Sequence, residues 1–310
     1  MADITFLFPG QGSQYAGMGK LLADQYPTAR RAFEEADDVL GFSLSKLCFD
    51  GAEQDLRKTE NTQPALLTVS TAAYSVLREQ GYKCDLVAGH SLGEYSALVA
   101  AESLRFADAL RLVRKRGQYM QEAVPEGVGA MAAILKLPDG KIDEILQEAA
   151  QSEVVTAANL NSPDQIVIAG HAQAVARAME MAKAAGAKRA ILLPVSAPFH
   201  CPLMRPAQQK LSADLDATEF RDLSIPLINN WQAREITRGA DARHGLYEQI
   251  PNPVRWTDTI REIAGRGIKR LVEVGAGSVL LGLCRNIDAT LQGVKFEQPA
   301  DLEKVRTILE

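Results

Sequence analysis

Short unbroken apolar runs alternate along this chain with longer stretches of helical period. The runs fall at 4–8 (ITFLF), 85–89 (DLVAG), 225–229 (IPLIN) and 269–274 (KRLVEV). Runs this short, each followed by a helix-period stretch, predict strands of a parallel sheet covered by helices. Between 127 and 195 the rhythm changes to strand-like VGAMAAIL, helix-like DGKIDEILQEAA, strand-like VVTAANL and QIVIAG, helix-like AQAVARAMEMAKAAG and strand-like RAILLPV. That βαββαβ order is the ferredoxin-like unit. The expectation is an α/β protein whose large part, 1–126 and 196–310, is interrupted by a small inserted subdomain, 127–195. The richest loop is expected over 229–253, around Gly239, Pro251 and Pro253.

One junction carries chemistry. LVAGH reads as a buried strand and EYSALVAAE as a helix, so Ser91 of GHSLG falls at the bend between them. A strand, a sharp turn bearing serine and a helix are the context of a nucleophile elbow. Glycine at 89 and 93 fits a turn that brings two backbones too close for larger side chains. A helix starting just after the serine also aims free N–H groups and its positive end at any anion formed there. A serine hydroxyl needs a base, and the chain has four histidines. His90 is adjacent to Ser91 and points elsewhere on the turn; His171 suits helix capping or solvent; His244 lies in the polar stretch GADARHG, read as an exposed loop. His200 remains, between Pro198 and Pro202, which stiffen the loop where the inserted unit rejoins the large part.

Composition narrows the class. With 310 residues, 46% of them apolar, the chain has enough to bury one large core and a smaller one. A net charge of −5 with scattered Lys and Arg gives no nucleic-acid footprint, and no apolar run reaches transmembrane length. Cys48, Cys84, Cys201 and Cys284 lie far apart and suit free thiols better than a zinc site or disulfides. The start, from Met1 into ITFLF, lacks the basic and cleavage regions of a signal peptide. A cytoplasmic setting is expected.

Taken together, FPGQGSQ (8–14), GHSLGEYSAL (89–98), Arg116–Gly117, NLNSPDQIVIAG (159–170), Phe199–His200 and EVGAGSVL (273–280) resemble the malonyl-CoA:acyl-carrier-protein transacylase family of type II fatty-acid synthesis. The resemblance runs over essentially the whole chain. It implies an α/β-hydrolase-like large subdomain with a ferredoxin-like insertion. It also implies ping-pong transfer of malonyl from coenzyme A to Ser91 and on to the phosphopantetheine thiol of acyl carrier protein, with no permanently bound cofactor. Carried over by residue, Ser91 is the nucleophile, His200 the base, and Gln249 the residue whose main-chain carbonyl orients that histidine; a helix-end glutamine is the plainer reading of Gln249. The backbone N–H groups of Gln11 and Leu92 would form the oxyanion hole, such donors supplying about 3 kcal/mol each. Gln63 matches a pocket position, or is a turn residue before Pro64. Phe199 matches a bulky wall that crowds branched acyl groups, or is simple core packing.

Malonyl differs from acetyl by a carboxylate, and arginine's planar fork holds a carboxylate while staying charged when desolvated. In FADALRLVRKRGQYM, at about 100° per residue, Phe106, Ala109, Leu110, Val113, Gly117 and Met120 form an apolar stripe, and Arg116 falls about 20° from Ala109 on its border. Arg111, Arg114 and Lys115 point away and, with Lys188 and Arg189, are candidates for docking an acidic carrier. Gly275 and Gly277 lack the third glycine of a dinucleotide loop and the lysine of a P-loop, and read as tight-turn residues. Three rival readings remain: a serine thioesterase or hydrolase, a polyketide-type acyltransferase for a related extender unit, and a silent acyl-binding module.

Overall fold

The computed structural model describes residues 4–195 and 197–309; residue 196, the expected junction of the insertion with the large part, lies outside them, as do residues 1–3 and 310. Among the described residues ten strands form two sheets. β1 (Ile4–Phe8), β2 (Leu86–Gly89), β7 (Leu227–Ile228), β8 (Glu235–Ile236), β9 (Arg270–Val274) and β10 (Gln292–Phe296) make one, in the order β10-β9-β1-β2-β7-β8. All its neighbours run parallel except β8, which folds back on β7. β3 (Gly129–Leu135), β4 (Val155–Ser162), β5 (Gln165–His171) and β6 (Arg189–Leu192) make the other, wholly antiparallel, in the order β4-β5-β3-β6.

The apolar run at 4–8 shows why the large sheet has two covered faces. Side chains alternate along a strand, so Phe6 and Phe8 enter one core with Val87, Val272 and Val274, while Leu7 enters a second with Leu86, Ala88 and Leu271. The first core is closed by the long Thr59–Glu79 helix and its neighbours, the second by Trp256–Gly265 and Val279–Ile287. Phe6, Leu7 and Phe8 are wholly buried, each contributing about 2–3 kcal/mol of transfer free energy. The sheet is thus α/β-hydrolase-like, and the small sheet has ferredoxin-like order, with Ile142–Ala150 and Ala172–Ala184 packed over one face.

The structure departs from the pattern in several places. The run at 225–229 yields only the two-residue β7, and β8 and β10 carry no continuous apolar run at all. The stretch expected as a loop, 229–253, contains a helix, Gly239–Gln249, on which exposed His244 stands edge-on to Trp231. His171 stands at the N-cap of the Ala172–Ala184 helix, but its side chain is turned to another strand's start: its Nδ1 accepts the Val154 N–H at 2.9 Å. Gln63 is not in a turn, because Thr59–Glu79 runs straight through Pro64. Proline there removes the N–H that would bond the Glu60 carbonyl. Arg114 Nη1 supplies it instead at 2.8 Å, also bonds Asn61 and stacks over Phe42. Arg114 is therefore a part-buried brace and not a free outward cation.

β4 ties the sheets together. Two register shifts bend it at Ala157/Asn159 and Leu160/Ser162, and there it pairs with the segment after the Gly239–Gln249 helix: Leu160 N–H donates to the Val254 carbonyl and Val254 N–H to that of Ala158, both at 2.9 Å.

Candidate active site

Ser91 stands at the carboxyl end of β2, where the chain turns into the Gly93–Ala100 helix. A Cβ on Gly89 would lie 1.9 Å from the Gly93 carbonyl oxygen, and one on Gly93 would lie 2.0 Å from that of Phe8. The turn closes only with glycine at both positions. Ser91 itself is held at φ 51°, in the left-handed region that costs a side-chain-bearing residue on the order of 1–3 kcal/mol. Asn230, just beyond β7, braces it: its Oδ1 accepts the Ser91 N–H (2.7 Å) and its Nδ2 donates to the Gly89 carbonyl (2.6 Å).

His200 faces the serine from the loop after β6. Pro198 packs on Gly129, where even a Cβ would come within 2.4 Å of its ring, and Cys201 Sγ donates to the Pro198 carbonyl. His200 also has a left-handed φ, 57°. Its Nδ1 donates to the main-chain carbonyl of Gln249 at 2.9 Å, which leaves Nε2 bare to accept from Ser91 Oγ at 2.7 Å.

Arg116 is 2% exposed at the inner edge of its helix. Nη1 donates to Gln63 Oε1 (2.7 Å), and Nη2 to Gln249 Oε1 (2.8 Å) and Ser91 Oγ (3.2 Å). The guanidinium lies over the Tyr95 ring, and its Nε is buried without a partner. Gln11, Phe199 and Met131 help enclose these groups in a cleft of about 530 Å3. A second hollow of about 790 Å3, walled by Val279, Leu280 and Leu283, adjoins it and shares Gln11, His90, Asn159 and Leu193 with it. Leu92, the residue after Ser91, caps the following helix and is buried.

A family model described as an acyl transferase domain matches residues 5–300. The chain belongs to the acyl transferase family. It is 49% identical over 301 residues to the malonyl CoA-acyl carrier protein transacylase of Escherichia coli strain K12, with 97% of each chain covered. The crystal structure of an acyl carrier protein S-malonyltransferase from Vibrio cholerae O1 biovar eltor superposes with a TM-score of 0.96 at 46% identity, covering 98% of this chain and 100% of that one. A type II PKS acyl-carrier protein in complex with its malonyl-transacylase gives 0.95 at 47% identity, covering 98% of both chains.

Electrostatics in this acyl transferase site follow from burial. Desolvation, reinforced by the Arg116 charge, pushes His200 down to about 3, so the imidazole is neutral at physiological pH. Burial also lowers Arg116, with Tyr95 and Glu94 opposing it. His90 is held neutral by burial, and its Nε2 donates to Asn161 Oδ1 at 2.8 Å, so it clasps β4 and does not reach the serine's hydroxyl.

Two members of the site escaped the pattern reading. Glu94 is wholly buried in the first turn of the elbow helix, where desolvation raises it to about 7. Its signal was a lone acid in an otherwise apolar helix. Asn230 had only its place at a strand's carboxyl end, where α/β sheets assemble their sites.

The glycine turn at 275–277 is settled by Glu273. Its carboxylate accepts from Leu280 N (3.1 Å) and Leu281 N (2.9 Å), filling the helix N-terminus where a phosphate would sit. Of the outward cations, Arg111 pairs with Asp108 and Lys115 with Asp214, and both stay as exposed as Lys188 and Arg189. Among the described residues no helix is long and apolar enough to cross a membrane, and no group of three or more His, Cys, Asp or Glu gathers as a metal site.

Proposed function

We propose that this protein moves a malonyl group from malonyl-CoA to the phosphopantetheine thiol of acyl carrier protein, through an ester on Ser91, in fatty-acid synthesis. The observation that carries the reading is the 2.7 Å approach of Ser91 Oγ to His200 Nε2 in a cleft that also holds a buried arginine. Ser91 gives its proton to Nε2 as Oγ attacks the thioester carbonyl. The backbone N–H groups of Gln11 and Leu92 receive the oxyanion. Collapse expels the coenzyme A thiolate, which takes the proton from Nε2; the carrier thiol then repeats the sequence in reverse. Gln249 fixes the imidazole tautomer through its main-chain carbonyl, and its side chain, with that of Gln63, aims Arg116 at the malonyl carboxylate. Phe199 walls the acyl pocket against branched groups. The adjoining hollow takes the pantetheine arm common to both thiols.

Coenzyme A enters as a thioester substrate, and the reading assigns the protein no permanently bound cofactor, nucleic-acid partner or membrane. The large part, 1–126 and 196–310, supplies the nucleophile and base, and the insertion, 127–195, one wall of the cleft. Free, widely spaced cysteines favour the cytoplasm. Similarity to a malonyl-transacylase held with a type II PKS carrier supports a second reading, the same transfer toward a polyketide carrier.

Incubation with malonyl-CoA alone, followed by mass spectrometry, should find malonyl on the Ser91 peptide, discharged on addition of holo carrier protein. Rapid loss of the ester to water without a thiol would instead make the protein a hydrolase.

A further inference from the structure

Among the described residues no acid contacts the buried, charged Arg116 directly; its hydrogen bonds go to Gln63, Ser91 and Gln249. Its nearest counter-charge is one residue removed. Glu94 Oε2 accepts from Gln249 Nε2 at 2.7 Å, and the other end of the same amide, Oε1, accepts from Arg116 Nη2 at 2.8 Å. A carboxylate only accepts, so it obliges the amide to turn its NH2 inward and its oxygen toward Arg116. Glu94 Oε2 also takes the N–H of Asn230, whose side chain holds Ser91. At either end of this bridge one polar atom is left over, Arg116 Nε and Glu94 Oε1, both buried without a partner.

We propose that Glu94 is the counter-charge of Arg116, acting through the Gln249 amide, and that it gives way to the substrate carboxylate by taking up a proton when a malonyl group is loaded. The proposal rests on the malonyl-transfer reading above. Two anions sharing one buried cation are disfavoured, and the one able to take up a proton does so. Burial already holds Glu94 up to about 7, so a modest further rise protonates it at working pH.

The charged and titratable groups facing Glu94 are few. Arg116 approaches from the Phe106–Glu122 helix and Tyr95 from its own. The Gly239–Gln249 helix offers neutral Gln249 and Gly245, with His244 turned to Trp231, and the strand-end loop offers neutral Asn229 and Asn230. His200 lies beyond Gln249.

Ester formation itself neither consumes nor frees a proton, since the hydroxyl proton of Ser91 ends on the coenzyme A thiol. A single turnover in weak buffer near pH 7.5, followed with a pH indicator while mass spectrometry counts the ester, therefore reads the enzyme alone. Malonyl-CoA should draw up to one proton per ester, acetyl-CoA none. The KM for malonyl-CoA should rise up to about tenfold per pH unit above pH 7 before levelling. In Glu94→Gln the uptake should vanish and that KM become flat with pH, while a merely structural residue would lower malonyl and acetyl rates together and leave the pH profile unchanged. Should Glu94→Gln fail to fold, the wild-type difference between the two thioesters decides. Full ester formation without malonyl-specific uptake overturns this proposal alone; absence of the ester overturns the malonyl-transfer reading and this proposal with it.

Discussion

Replacing Arg116 by alanine separates recognition of the acyl group from the chemistry at Ser91. In the proposed complex the guanidinium meets the malonyl carboxylate in a site shut off from water, through two charge-assisted hydrogen bonds worth about 1.5–3 kcal/mol each. Their loss leaves a carboxylate stranded in the cleft, so about 3–5 kcal/mol of transition-state stabilisation should disappear. At about 1.4 kcal/mol per decade this is a fall of roughly 200- to 5,000-fold in kcat/KM for malonyl-CoA. Acetyl-CoA offers no carboxylate, and its rate should suffer only from the lost 3.2 Å contact with Ser91 Oγ and from relaxation of Gln63 and Gln249, within about tenfold. Arg116→Lys keeps the charge but not the fork that spans the two glutamines, and should fall between. The assay is the ratio of kcat/KM on the two thioesters, with thermal unfolding as the control for folding. An equal loss on malonyl and acetyl would refute the assignment of Arg116 to the carboxylate.

Gly93→Ala sets a Cβ 2.0 Å from a carbonyl oxygen of the central strand, so urea unfolding should show a loss of about 3 kcal/mol or more, and a wild-type midpoint would contradict the close approach. Arg114→Ala orphans the Glu60 carbonyl freed by Pro64; it should cost about 1–2 kcal/mol in the same assay and leave the malonyl-to-acetyl ratio untouched. His200 titrates at about 3 in the folded chain against about 6.5 unfolded, so as pH falls the unfolded chain binds the proton first. Its contribution to stability is complete above pH 6.5 and lost between 6.5 and about 3; His200→Gln should remove that dependence from the unfolding free energy measured across the window.

Legibility in the sequence tracked the kind of surface each element buries. β1, β2 and β9 are apolar on both faces and announce themselves, and the stripe through Ala109, Val113 and Gly117 turned Arg116 inward on geometry alone. β10 lies at a sheet edge with its first residues exposed, so its pattern is half polar and reads as loop. Arg114 was misjudged for a different reason: its angle on the helix wheel says outward, but the partner it meets exists only because a proline in another helix left a carbonyl open.

The Gly239–Gln249 helix shows where pattern reading must fail. Its inner face is Gly239, Ala242, Gly245, Leu246 and Gln249, spaced as a helix requires but with a single large apolar side chain among them. Two glycines lower its intrinsic propensity further. What that face packs against explains the choice: a Cβ on Gly245 would already lie 3.8 Å from Glu94 Oε1 and 3.6 Å from Asn229 Nδ2. The helix is buried against a polar network, and hydrophobic periodicity registers only apolar burial. The same network joins Glu94, Asn230 and Gln249 to Ser91, His200 and Arg116, so the helix with the least legible sequence brings the carbonyl that orients the base. A site built from polar groups that bond one another erases the apolar stripe of whatever element carries it, which is why the elbow could be seen in isolation and Glu94 and Asn230 could not.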